Sequence, residues 1–161
     1  MSIRNITLLL LLSLSFCSQN WDYSLIDLNP SSETYADTLS PSYFENHITL
    51  HYFGHQNWGT CTARVGLLDE FSGDLIDQGI ENVKIIAIGQ EQYSADNANW
   101  TDDNNIPVVN DPEPNDVWNN WGASQRDLFF LDTNGNYVTD FNITTWNYDA
   151  IYNTILELLP S

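Results

Sequence analysis

Two apolar runs flanking a helical stretch constrain this chain more than any other feature. Residues 48–53 read ITLHYF, a β-branched and aromatic composition that predicts a strand. Residues 83–88 read VKIIAI and end at Gly89; an apolar run that does not alternate belongs to a strand covered on both faces. Between them Val65, Leu68, Phe71, Leu75 and Ile76 recur at steps of three and four, and Gly79 stops the helix they define. Strand, helix and buried strand within about 40 residues make a right-handed βαβ unit with parallel strands.

The rest of the chain fits around that unit. Residues 19–46 are polar and rich in turn formers, broken by Pro30 and Pro41, with a short strand or hairpin at residues 23–28. Residues 90–105, rich in Asn, Asp and Gln, read as a loop with one helical turn. Residues 106–109 are a short extended piece, and residues 116–121 a short helix closed by Gly122. LFFL at 128–131, Asn134-Gly135 and YVTDF at 137–141 form a hairpin signal. Residues 147–159 carry Ile151, Ile155, Leu158 and Leu159 on one helical face, with Pro160 after them. The order β-α-β, variable middle, β-hairpin, α predicts a mixed sheet with helices on its faces. Function in such sheets gathers at the C-terminal ends of the parallel strands, here residues 54–61.

Composition narrows the partners. The chain has 161 residues, 22 acidic against four basic side chains, and a formal charge of −18. That excludes DNA and RNA, which require clustered Lys and Arg, and disfavours anionic lipid surfaces. Two cysteines build neither a disulfide scaffold nor a four-cysteine zinc site. Arg4 and the apolar run at 6–16, too short to span a bilayer, predict a secretory leader at residues 1–17, followed by one domain at 18–161. A second reading of LSFC at 14–17 makes Cys17 a lipidated first residue, although Phe16 is bulkier than a lipobox prefers. On either reading Cys61 becomes the only free thiol, and Arg64, Lys84 and Arg126 the only cations besides histidine. The acidity then serves to keep an exported chain soluble, including in salty surroundings.

The segment FGHQNWGTC at 53–61 sits after a core strand and opens a helix. It resembles the active-site segment of thioredoxin-like redoxins, which carries Cys-x-x-Cys. LIDL at 25–28 and LFFLDTNG at 128–135 are similar to the first strand and late hairpin of thiol-specific antioxidants. IPVV at 106–109, DVW at 116–118 and RDLF at 126–129 look most like the N-terminal domain of selenoprotein P, where a selenocysteine precedes the helix and a cysteine follows three positions on. The resemblance covers residues 21–159. It implies a thioredoxin-like three-layer α/β/α sandwich with a central mixed sheet, and exported thiol or selenol chemistry on disulfides or peroxides. The partners would be such a substrate and a thiol reductant, with no cofactor and no metal.

The spacing has a chemical reason. A nucleophile at a helix start feels the positive end of the helix dipole, and a thiol one turn inside reaches back to resolve a mixed disulfide. Cys61 holds the resolving position, but the attacking position is Trp58, and indole does none of this chemistry. Three readings stand: a true loss, an ordinary loop aromatic with the chemistry elsewhere, or a UGA selenocysteine codon rendered as tryptophan. A redox-inactive fold used as a binding module is the alternative function. Arg126 stands where many thioredoxins place a cis-proline and where peroxidatic redoxins carry an arginine that stabilises a thiolate; it otherwise reads as a surface cation paired with a carboxylate. Arg64, one turn beyond Cys61, either approaches the loop or faces solvent.

His55, in the loop, is the credible proton carrier, while His51 reads as a core histidine with a hydrogen-bond partner. His47, His51 and His55 step by four along a strand and loop and make no metal face. Asp132 to Asn136 lacks the distal Glu of a calcium loop and is explained by the hairpin. Trp118 and Trp121 are expected to pack on the sheet. Asn99 and Asn142 open Asn-Xaa-Thr triplets, which matter only in a glycosylating compartment.

Overall fold

The computed structural model describes residues 20–160; the leader expected at residues 1–17, with Cys17, lies outside the described residues. The βαβ unit is present: β3 (Ile48–Phe53), α1 (Gly59–Asp77) and β4 (Val83–Gln90), with β3 and β4 parallel and Leu50 opposite Ile85. Ahead of it β1 (Leu25–Ile26) and β2 (Thr38–Leu39) form a small antiparallel pair. After it come α2 (Ala98–Thr101), β5 (Val108–Asp111), α3 (Asp116–Trp121), β6 (Asp127–Leu131), β7 (Tyr137–Asn142) and α4 (Tyr148–Leu158). The five-stranded sheet runs β5-β4-β3-β6-β7, with β5 parallel to β4 and the β6–β7 hairpin antiparallel to β3. This is the mixed sheet with flanking helices that the element order predicts, in the thioredoxin-like arrangement that the resemblance implies.

Side-chain alternation divides β3 between two cores. Leu50 and Tyr52 join Cys61, Val65, Leu68, Phe71, Trp100, Ile151 and Ile155 under α1 and α4. Phe53 packs with Ile86, Ile88, Trp118, Trp121 and Phe129 on the opposite side. Ile76, assigned to the buried stripe from its spacing, is instead exposed. Leu75 takes the core position, and the next residue lies about 100° further round the helix.

The variable middle holds more structure than its composition suggests. A 3₁₀ segment at Glu91–Asp96 leads into α2, which drives a fully buried Trp100 against the Tyr52 ring. The extended piece begins later than expected, at Val108. Pro107 has no N–H to give the ladder and contributes only its carbonyl, which accepts from the Ala87 N–H at 2.9 Å. The outer edge of β5 is covered by the segment after β1. The Leu28 N–H donates to the Val108 carbonyl at 2.8 Å, and the Val108 N–H donates to the buried Asp27 carboxylate at 3.1 Å. At the other edge, β7 pairs among the described residues only with β6.

Candidate functional site

The chain leaves β3 through Gly54, where a Cβ would lie 2.9 Å from the Tyr52 ring and 3.0 Å from Trp100, so no larger residue fits. Trp58 is the N-cap of α1. Its side chain is 51% exposed and caps nothing, while its carbonyl accepts the Thr62 N–H at 3.0 Å. Cys61, one turn into the helix, is a free thiol with no exposure. The Tyr52 hydroxyl donates to the Cys61 carbonyl at 3.4 Å and lies against its thiol. Burial, followed by the sulfur, pushes the Tyr52 phenol far up; Arg126 and Arg64 act in the opposite direction, so both cations bear on this spot.

Arg126 enters β6 with φ +71°, in the left-handed region that costs a non-glycine residue about 1 kcal/mol or more. Backbone bonds on both sides hold it there: its N–H to the Phe53 carbonyl at 2.7 Å, and its carbonyl from the Ile143 N–H at 2.7 Å. Among the described residues the cis X-Pro bond is elsewhere, at Glu113–Pro114 before α3. The Arg126 guanidinium donates to Thr144 Oγ1 at 2.8 Å and to Gln125 Oε1 at 3.3 Å. Arg64 does not simply face solvent. Its fork donates to the Ile143 carbonyl at 2.7 Å and the Thr144 carbonyl at 2.6 Å, so both arginines grip one turn after β7. Neither forms an ion pair; the described residues show a single pair, Lys84 with Glu33 at 4.0 Å.

His55 lies among aromatic rings, 4.5 Å from Tyr93, 5.3 Å from Trp118 and 6.4 Å from Trp58 between centroids. Burial, then the Arg126 charge, lowers its pKa, so the imidazole at this site is neutral at pH 7. As a neutral group it can donate or accept a hydrogen bond but lends no positive charge to a thiolate. His51 lies in the core as expected, between the Tyr23 hydroxyl at 3.0 Å and Thr49 Oγ1 at 2.9 Å. His47 is turned to its own loop, against the Glu45 carbonyl. Among the described residues no group of His, Cys, Asp and Glu is arranged to hold a metal. Asp132 organises the hairpin turn by accepting the N–H groups of Asn134 and Asn136, both at 2.9 Å.

Two residues at this site escaped the sequence reading. Gln125 joins His55 to Arg126, and the only signal for it was its place beside Arg126. Gln56 is fully buried and lies over Gly89, where a Cβ would come within 2.2 Å of its amide nitrogen. Its side-chain amide donates to Asn110 Oδ1 at 2.7 Å and Asn97 Oδ1 at 3.0 Å, and its backbone carbonyl accepts from Asn99 Nδ2 at 2.9 Å. The loop is thereby bolted to the C-terminal ends of β4 and β5; the glycine closing the VKIIAI run was its sequence trace.

Two recesses lie away from these residues. One of about 760 Å³ is lined by Trp21, Phe44 and Tyr137, and one of about 940 Å³ by Ile76, Lys84 and Pro107. Neither is lined by Trp58, Cys61 or His55. Among the described residues no helix is long and apolar enough to cross a membrane.

No family model and no curated protein sequence matches the chain. Solved structures do match in fold. A candidate thiol:disulfide interchange protein, DsbE from Chlorobium tepidum, aligns with TM-score 0.70 at 15% identity, over 86% of this chain and 94% of that one. The exposed lipoprotein thioredoxin Etrx1 of Streptococcus pneumoniae aligns at 0.66 and 22% identity, over 85% and 99%. Yeast Sco1 aligns at 0.67 and 13% identity, over 91% and 99%. At these identities the likeness establishes the thioredoxin fold.

Proposed function

We propose that this is an exported thiol or selenol redox protein that reduces disulfides or peroxides, with residue 58 attacking and Cys61 resolving. The reading is carried by one observation: the residue at the start of α1 is half exposed, and the only thiol among the described residues is buried one turn behind it. Attack needs an accessible atom at the positive end of a helix, and resolution needs a sheltered thiol within reach of it. The thioredoxin fold and the thiol-disulfide proteins among the structures sharing it support the same reading.

The cycle conserves atoms and electrons. A thiolate or selenolate at position 58 attacks one sulfur of a disulfide; the S–S bond breaks, and the first substrate thiolate leaves and takes up a proton. Cys61, having given up its proton, attacks the sulfur or selenium of residue 58 and releases the second thiol. The substrate has gained two electrons, and positions 58 and 61 are joined until an external thiol reductant restores them. With a hydroperoxide the nucleophile attacks the terminal oxygen and the O–O bond breaks instead: the other oxygen leaves as an alkoxide and takes up a proton, residue 58 carries the hydroxyl, and the Cys61 thiolate displaces that hydroxyl, which leaves with a proton as water. Arg126 and Arg64 supply the nearby positive charge that favours the anionic nucleophile.

Trp58 cannot begin this cycle. The reading therefore places selenocysteine at position 58 in the active protein, its UGA codon rendered as tryptophan, in line with the selenoprotein P likeness of the sequence. A UGG codon there refutes that assignment. The activity is tested by comparing Trp58→Cys with the Trp58 chain in insulin reduction and peroxide consumption with a dithiol donor. Turnover in the cysteine form alone supports the proposal, and no turnover in either form refutes it. One observation favours the alternative of a redox-inactive binding module: the exposed Trp58, with the part-buried His55 and Tyr93 beside it, offers an aromatic edge to a peptide.

A further inference from the structure

The contacts around Gln125 leave little freedom in how protons are distributed. A guanidinium has donors only, so the Gln125 atom that meets Arg126 Nη1 is the amide oxygen. The amide nitrogen is then the atom that faces His55 Nδ1, and it brings two hydrogens and no lone pair to share. Nδ1 must accept, and the imidazole proton must sit on Nε2. Arg126 is itself fixed, by the Thr144 hydroxyl at 2.8 Å and by its backbone on both sides, so the orientation is imposed from outside the loop.

We infer that Gln125, turned by Arg126, is a positioning residue that holds His55 as the Nε2-protonated neutral imidazole, so that the loop offers a neutral hydrogen-bond donor beside position 58. Nε2 has no hydrogen-bond partner among the described residues, and it is not one of the buried unpaired nitrogens, so the donor is open to an incoming group. The titratable and charged groups that face His55 among the described residues are Arg126 and Tyr93, and no carboxylate acts on the ring to restore the imidazolium. The use of this donor rests on the redox reading: it would hydrogen-bond the substrate atom that leaves as an anion, a sulfur from a disulfide or an oxygen from a peroxide, during attack by residue 58. The tautomer itself does not depend on that reading.

The test is ¹⁵N-resolved NMR of the histidine side chains in the Trp58 chain, where no activity is needed. The expected result is a His55 with Nε2 protonated and Nδ1 bare at pH 7. An Nδ1-protonated or doubly protonated ring at pH 7 overturns the inference. Gln125→Glu replaces the amide with an acceptor and should raise the His55 titration midpoint by about one unit or more, protonating both nitrogens. Gln125→Met, which offers no hydrogen bond, should let the Nδ1-protonated form appear. An unchanged tautomer and midpoint in both variants overturns the inference. Should the wild-type tautomer be as expected while Trp58→Cys shows no turnover, the redox proposal fails and the positioning role of Gln125 stands.

Discussion

Asp27 offers the sharpest quantitative test of how this fold is held together. Its carboxylate is completely buried and has no cationic partner, yet it is well supplied with hydrogen bonds. Oδ1 accepts the N–H groups of Asn29 at 2.9 Å and Val108 at 3.1 Å; Oδ2 accepts the Thr34 hydroxyl at 2.8 Å. Truncation in Asp27→Ala leaves two buried backbone donors without an acceptor, each costing about 1–3 kcal/mol. The Thr34 hydroxyl adds little, because it already lies 3.1 Å from the Ser32 hydroxyl and can turn to it. The expected loss is about 4 kcal/mol, or about 10 °C in Tm for a domain of this size. Asp27→Asn keeps the carbonyl oxygen for both N–H groups and presents an NH₂ to the Thr34 oxygen, so it should cost about 1 kcal/mol. Urea unfolding followed by tryptophan fluorescence measures both, read as a shift in midpoint at unchanged slope. If Asp27→Ala falls within about 1 kcal/mol of wild type, or Asp27→Asn is as damaging as the alanine, the assignment of this carboxylate as a backbone acceptor at the sheet edge is wrong.

Two further predictions concern titration and capping. Burial pushes the His51 pKa down to about 3 from its ordinary 6.5. As pH falls through that window the unfolded chain binds a proton that the native one refuses, so stability is lost at up to about 1.4 kcal/mol per pH unit; denaturant midpoints of His51→Gln between pH 6 and pH 4 should fall less steeply than those of wild type. Trp58 begins a 19-residue helix without a side-chain cap, so Trp58→Ser, whose hydroxyl can accept a first-turn N–H, should stabilise the protein by about 0.5–1 kcal/mol in the same assay.

How much of this was legible in sequence depended on whether a residue acts through its own run or through distant partners. The βαβ unit, the short helix closed by Gly122 and the Asn134-Gly135 hairpin were readable because period and turn chemistry are local. The strand-to-helix junction that carries Trp58 and Cys61 was readable, while the roles of these two residues came from the redoxin resemblance and remain part of the proposal. His51 was readable as core from its place on a strand buried on both sides. The roles of Gln125 and Gln56 were not, since each is defined by partners far away in the chain: His55 is 70 positions from Gln125, and Asn110 is 54 positions from Gln56. Ile76 misled because apolar spacing cannot say which of two adjacent residues wins the core. In residues 90–105 the one helical turn expected there is α2, while the 3₁₀ segment ahead of it was hidden by their polarity.

The two edges of the sheet set a limit on how these chains could associate through their backbones. The β5 edge is already occupied by Asp27 and Leu28, while among the described residues β7 keeps its outer row of N–H and C=O groups. Among the described residues the five-stranded sheet therefore offers a strand from a second copy one open edge. Two chains meeting β7 to β7 satisfy each other and leave no template for a third, so growth by strand addition closes at a pair instead of propagating into a fibre.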